Sequence, residues 1–293
     1  MTTLPPLDIH PATSVAEATR LLAELGDDAV VYAGGTELLL LMKLRFAAYS
    51  HLVDIKPIAE LTGIEVGADG WLRIGGGVTH RAVERSPLVM ASWPGLRAME
   101  RVVANIRVRT VGSLGGNLAF ADPHSDPATF LLAAGARVVL GHGEERRTLP
   151  IDEFILGPYE TALQPGELVV AIEVPPVAPD AFQTHLRFAF HERPAATVST
   201  HLRLDRGRIS EARIAVGSVG VRPVRALTAE TMLVGADASD LDQSLLDAAG
   251  ATAGEVADAV ADANGAADYK TALVGVLVGR SVRAAAQALL PQA

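Results

Sequence analysis

Between Ser14 and Gly26 the apolar residues Val15, Ala16, Leu21, Leu22 and Leu25 fall on one helical face. Ser14 and Glu17 stand at capping-box spacing before them, and Gly26 is placed to stop the helix. The pattern then becomes compact. "DDAVVYAGGT" carries an unbroken apolar run over 29–33, which reads as a buried strand ending at Gly34 and Gly35. Thr36 is positioned to cap a helix over about 37–46, and the run Leu38 to Leu41 with Met42 predicts that this helix buries against a sheet.

Further along, short apolar runs predict strands over 52–55, 64–66 and 72–74. Gly75, Gly76 and Gly77 form a turn, and Thr79 opens a short helix at His80. A helix over 128–134 and a strand over 137–140 follow, then a strand over 169–174. The Pro-rich stretch 175–179 marks a domain boundary. Beyond it, "HLRFAF" and the alternating run after Ala196 read as an antiparallel meander with Asp205-Arg206-Gly207 as its hairpin turn. From Ala226 the chain is Ala-rich and helical, with breaks expected near Gly235, Gly250 and Gly265.

Composition narrows the class. A chain of 293 residues, 49% hydrophobic, has enough apolar side chains for a large core and the length of about two domains. Its formal net charge of −9, with no block of Lys and Arg, lacks the footprint of a nucleic-acid binder. With no cysteine, it cannot hold disulfides, thiolate zinc or an ordinary iron–sulfur cluster, so any such centre must sit on a partner. The start "MTTLPPLDIHPATS" lacks a basic segment and apolar run, and no apolar stretch approaches the roughly 20 residues that span a bilayer. A soluble cytoplasmic protein without a transmembrane segment is expected.

Candidate chemistry lies at two glycine doublets. Gly34 and Gly35 sit at a strand–turn–helix junction, where backbone N–H groups converge and suit an anion such as a phosphate. "TVGSLGGNLAFADPHSDPATF" supplies a second doublet, Gly115 and Gly116, with Ser113 before it, Asn117 after it, and Asp122 and Asp126 beyond. Either doublet alone reads as a bare turn. Two, each beside a hydroxyl, look like two walls of a pyrophosphate cradle. Asp126 can then accept hydrogen bonds from a ribose or adenine, while helix capping is the competing reading for Asp122 and Asp126. His80 reads as a cap or surface residue.

These segments together resemble the flavin-binding medium subunit of molybdenum hydroxylases, the group of bacterial carbon monoxide dehydrogenase and xanthine dehydrogenase. "AGGTELLLLMKLR" and "TVGSLGGNLAFADPHSD" are similar to the two flavin motifs. "GPYETALQPGELVVAIEVP" resembles the end of the flavin domain, and "GSVGVRPVRALTAE" and "DYKTALVGVLVGRSV" resemble its C-terminal domain. Five motifs in the right order cover nearly the whole chain. The resemblance implies an α+β fold: a two-lobed α/β FAD-binding domain of the PCMH type over 1–176, with lobes of about 1–57 and 58–176. A C-terminal flavoprotein domain over 177–293 follows, with a three-stranded antiparallel sheet and a helical bundle.

The resemblance also implies non-covalent FAD. Ala33, Gly34, Gly35, Thr36, Glu37 and Leu38 would wrap the pyrophosphate, with Glu37 giving only its backbone N–H. Ser113, Gly116 and Asn117 would form the second wall, and Asp126 would meet the adenosine end. Leu168 and Ile172 would pack near the isoalloxazine, and Arg187, or Arg193 in a slipped register, would stand where relatives place a lysine. The implied partners are a 2Fe-2S small subunit and a molybdopterin large subunit, as a dimer of heterotrimers. Electrons would leave to NAD or another carrier, with no acid–base catalyst and no metal on this chain. A free-standing FAD oxidase or reductase would instead need acid–base residues, for which Tyr159, His185 and His191 are the candidates. A non-enzymatic module would use the glycine loops only as turns.

Overall fold

The computed structural model describes residues 4–290, so the outermost three residues of each expected domain lie outside the described chain. The first lobe is a parallel three-stranded sheet in the order β1-β3-β2, built from β1 (Asp8–Pro11), β2 (Ala29–Tyr32) and β3 (His51–Asp54). Helix α1 (Val15–Leu25) connects the first two strands. Its cap Ser14 accepts the Glu17 N–H at 3.1 Å, as the spacing predicts. The Glu17 carboxylate, however, closes on the Thr13 N–H at 2.8 Å and the Thr13 hydroxyl at 2.7 Å, one residue upstream of the expected box.

Helix α2 (Leu38–Lys43) corrects the expectation of a long buried helix. It has six residues, begins at Glu37 without a side-chain cap, and leaves Thr36 uninvolved in capping. Among its apolar residues only Met42 is buried, whereas Leu40 and the following Leu44 and Phe46 are exposed, Phe46 by 78%. So short a helix at the lobe's edge cannot turn all its leucines toward one sheet. Strand β2 is likewise half-buried, because Val30 and Val31 line the cavity described below.

The second lobe is an antiparallel sheet in the order β4-β5-β10-β6-β7. Its strands β4 (Ile64–Val66) and β5 (Leu72–Gly75) precede helices α3 (His80–Arg85), α4 (Pro87–Ser92), α5 (Pro94–Glu100), α6 (Ile106–Val111), α7 (Leu114–Phe120) and α8 (Asp126–Ala134). Strands β6 (Arg137–His142) and β7 (Glu145–Pro150) come next, then α9 (Ile151–Phe154), the small hairpin β8 (Ile155–Gly157) and β9 (Glu160–Thr161), and β10 (Leu168–Val174). The helices bury Trp93, Leu96, Met99, Leu118 and Phe130 on one sheet face with Ile74, Val138, Ile172 and Val174. The other face gives Val139, Leu168 and Val170 to a core shared with Val15, Ala18 and Val53 of the first lobe. Covered on both faces, β10 is buried along nearly its whole length, which accounts for its continuous apolar run.

After Pro175 the chain enters a second antiparallel sheet, β11 (Ala181–Phe188), β12 (Ala196–Asp205), β13 (Arg208–Gly217) and β14 (Val224–Arg225) in sequential order. Three long strands make its body and β14 adds a two-residue edge. Arg206 and Gly207, both at positive φ, form the expected tight hairpin. Helices α10 (Leu227–Leu233), α11 (Gln243–Val256) and α12 (Ala267–Leu289) cover one face, burying Leu202, Ile214, Leu246, Val274 and Val278.

Gly250 does not break the bundle as expected but lies inside α11. A Cβ there would stand 2.7 Å from the Gly275 carbonyl oxygen, so it serves close helix contact. Helix α12 has 23 residues, and an 18-residue stretch within it reaches a mean hydropathy of 1.3, enough to cross a membrane by length and composition alone. Here it packs on the sheet and α11, buries Lys270, and donates the buried Ser281 hydroxyl to Thr200 at 2.8 Å.

Two stability tests follow from this packing. Gly250→Ala should lower the melting temperature through overlap with Gly275. Gly275→Ala, whose Cβ would find ordinary contact at 3.7 Å, should raise stability by about 0.5–1 kcal/mol from helix propensity. Burial lowers the His201 pKa from its usual 6.5 to about 4. Between those values the unfolded chain binds more protons than the folded one, so stability should fall as pH drops through that window. His201→Gln should flatten the decline in denaturant midpoint.

Candidate cofactor site

Close backbone packing builds the site. After β2 the chain turns through 33–37 with Gly35 at φ +67. Gly34 lies flat against the end of α6, where a Cβ would stand 2.2 Å from the Val111 carbonyl oxygen. Gly115 lies against Gly76, donating its N–H to the Gly76 carbonyl at 3.0 Å, and a Cβ there would stand 2.4 Å from that oxygen. Gly76 in turn donates to the Val170 carbonyl at 2.8 Å, and a Cβ would come within 2.0 Å of the Val169 oxygen. Four backbone segments, at Gly34, 111–115, Gly76 and 169–170, thus stack with no side chain between them at these contacts. Gly116 differs: a Cβ would meet only the Ser113 hydroxyl at 2.8 Å, and the residue faces a cavity.

That cavity, of about 520 Å³, lies between the two lobes and is closed by the β11–β12 connection. Ala33, Gly34, Gly35, Thr36, Glu37 and Leu38 form one wall and Ser113, Gly116 and Asn117 the other, with Asp126 and Leu168 also lining it. Ser113 caps α7 by accepting the Gly116 N–H at 3.2 Å, which leaves its own hydroxyl proton to give. Asn117 accepts the Ser125 hydroxyl at 2.7 Å through Oδ1, leaving its amide nitrogen as donor. This set of hydroxyl, amide and glycine backbone fits a phosphate-bearing ligand, and the open face at Gly116 gives it room.

Arg187 does not line the cavity. Its guanidinium holds the carbonyls of Val102 and Glu192 and stands 3.3 Å from Asp126. Arg193 does line it, bound to Asp122 at 3.0 Å and to Glu37 at 3.4 Å. The Glu37 carboxylate therefore faces a cation across the mouth. Ile172 lies in the core of the second lobe, away from the cavity.

Asp126 is buried in the first turn of α8, whose cap is Ser125. Its carboxylate meets His185 Nε2 at 3.0 Å, and His185 Nδ1 meets the Ser199 hydroxyl at 2.7 Å. Asp126 lines the cavity, but Ser199 and the His185 ring are buried away from it, so the row ties the C-terminal sheet to α8 and presents no nucleophile. Of the three acid–base candidates only Tyr159 reaches the cavity, its pKa raised by burial and the Asp122 charge. His191 lines a separate cleft beside Asp262. The sequence reading missed His80. Its ring is 2% exposed, lines the cavity, and holds Glu100 at 2.8 Å, and no local pattern marks a partner twenty residues away.

Two family models and several known proteins are similar to the chain. A family model described as the FAD binding domain in molybdopterin dehydrogenase matches residues 5–177, and one described as the CO dehydrogenase flavoprotein C-terminal domain matches 187–285. The chain is 35% identical to the carbon monoxide dehydrogenase medium chain of Afipia carboxidovorans, over 95% of this chain and 96% of that one. A chain of the solved carbon monoxide dehydrogenase from Hydrogenophaga pseudoflava superposes with a TM-score of 0.93 at 35% identity, covering 99% and 100% of the two chains. One from quinoline 2-oxidoreductase of Pseudomonas putida 86 gives 0.92 at 30% identity, covering 99% and 100%.

The backbone stack predicts a separation of roles. Gly34→Ala should cost about 1–3 kcal/mol of stability in chemical denaturation, because a carbonyl on the other lobe must move. An unchanged midpoint would show that the lobes are not held in this way.

Proposed function

Because the chain belongs to the FAD-binding medium-subunit family of molybdenum hydroxylases, we propose that it is the electron-transfer subunit of such an enzyme. It would take electrons from a 2Fe-2S small subunit and pass them to NAD or another carrier. Bound FAD would supply the redox chemistry, accepting or releasing one or two electrons. The chain's own residues bind and orient it. Loop 33–38 and Ser113, Gly116 and Asn117 would hold the diphosphate, Asp126 would stand toward the adenosine end, and Leu168 would pack on the ring system. Arg193 is better placed than Arg187 for a basic group near the cofactor, since it alone of the two lines the cavity.

The observation that carries this reading is the open cavity face at Gly116 opposite the 33–38 loop. The lack of cysteine supports an iron–sulfur partner, with a molybdopterin large subunit completing a dimer of heterotrimers in the cytoplasm. Residues 1–176 and 177–293 are the proposed FAD-binding and C-terminal domains. A free-standing oxidase is less well supported, because His185 is tied between Asp126 and Ser199 and His191 lies outside the cavity.

The purified chain should be yellow or turn yellow with added FAD, and Gly116→Val should weaken FAD by about tenfold or more while leaving the backbone stack intact. In the assembled complex, reduced 2Fe-2S subunit should reduce the bound flavin. A chain that binds no FAD, or one that turns over an organic donor rapidly by itself, would sink the proposal.

A further inference from the structure

Behind the second glycine loop lie two buried ionisable groups that the proposed function leaves unused. His80 follows the cap Thr79 and donates its backbone N–H to the Gly112 carbonyl at 3.0 Å, which fixes the residue beside the junction of α6 and α7. A Cβ on Gly112 would stand 3.5 Å from both the His80 ring and the Thr36 methyl group, so the ring reaches the seam where the two glycine loops meet. Glu100, at the end of α5, is 0% exposed. One carboxylate oxygen holds His80 Nδ1 at 2.8 Å, and the other has no hydrogen-bond partner among the described residues. With Nδ1 engaged, Nε2 is the ring nitrogen left for the cavity.

A buried carboxylate is costly unless a cationic or proton-bearing partner balances it. A neutral Glu100–His80 pair would hold two protons, one between Glu100 and Nδ1 on either atom and one on Nε2. Nε2 would then be an N–H donor in both arrangements. Arg193, among the described residues the one Lys or Arg lining the cavity, is already matched by Glu37 and Asp122. A diphosphate entering the seam therefore meets few other donors that are not backbone, hydroxyl or amide.

We infer that His80 is a cofactor-binding residue whose Nε2–H donates to the dinucleotide diphosphate, with Glu100 as the positioning residue that holds the ring and its tautomer. This rests on the FAD reading above. Two substitutions separate the roles. His80→Asn can still donate to Glu100 but has nothing at the reach of Nε2. Facing a neutral amide, buried Glu100 loses its charge balance, so the apo-protein should lose stability as His80→Gln does, but here FAD affinity should also fall about tenfold, the scale of one strong hydrogen bond to an anion. His80→Gln places an amide nitrogen at that reach and gives up the Glu100 contact. It should lose stability and retain FAD affinity to within about threefold of the native protein.

Both are read by flavin titration and thermal melts. Native-like affinity in His80→Asn, or affinity that follows melting temperature in both variants, would overturn the inference. The native protein gives a second measurement that needs no variant: nitrogen-15 spectra of labelled histidine should show a protonated Nε2 whose signal moves on adding FAD. A bare Nε2 would also overturn it. If the native chain binds no FAD, the proposed function fails, and that outcome is distinct from either result.

Discussion

The first lobe meets the second through bare backbone at Gly34, on Val111 and Gly112. Within the second lobe the same close packing continues, Gly115 on Gly76 and Gly76 on Val169, and a Cβ on Gly34, Gly76 or Gly115 would fall within 2.0–2.4 Å of a carbonyl oxygen. Beside this seam the parallel and antiparallel sheets share one core, with Val15 and Ala18 in the same cluster as Val139 and Val170. The seam fixes the cavity, because loop 33–37 and the start of α7 approach each other only as closely as these contacts permit. Interiors at such density resist even one added methyl group, so the seam is stiff.

The C-terminal sheet closes what the lobes leave open, and it does so through buried polar groups. Asp126 on α8 meets His185 and Arg187 from β11. His185 reaches Ser199 on β12, and Arg187 holds the carbonyls of Val102 and Glu192. Removing one member of a buried charged set typically costs about 3–5 kcal/mol, because its partners are left unpaired. Asp126 therefore acts as a strut between domains, whatever it also offers to a ligand. The same strut fixes where Glu192, Arg193 and Pro194 meet the cavity.

How much of this was legible depended on whether the cause lay nearby in the chain. Caps at Ser14 and Thr79, the Arg206–Gly207 turn and the continuous run of β10 are local signals, and the elements stand where those signals place them. Burial of α2 was misread because periodicity counts apolar residues and does not say how many faces are covered. Leu38 and Leu41 line a cavity while Leu40 faces outward. Gly250 was read as a break because a glycine that ends a helix and one that admits a neighbouring helix look alike until Gly275 is brought beside it. The glycine doublets carried the same ambiguity. Gly34 and Gly115 are required by backbone contact, and Gly116 alone of these three has an open side toward the cavity. Arg187 and Arg193 were indistinguishable by charge; position in the strand and its following loop separated them.

Glu37 shows how a local misfit is resolved at long range. A carboxylate beside a diphosphate raises the cost of binding unless its charge is balanced. Arg193, far along the chain, crosses the mouth to stand between Glu37 and Asp122. The Glu37–Arg193 pair is partly solvent-exposed on both sides, and such pairs contribute about 0–1 kcal/mol to stability. Its effect is on the field inside the cavity. Two carboxylates hold the charge of one arginine, so the arginine cannot serve as a free countercharge for a diphosphate. On the proposed reading, recognition of the diphosphate would fall to groups that carry no competing carboxylate at the mouth: loop backbone, the Ser113 hydroxyl, the Asn117 amide and the ring that Glu100 holds from behind.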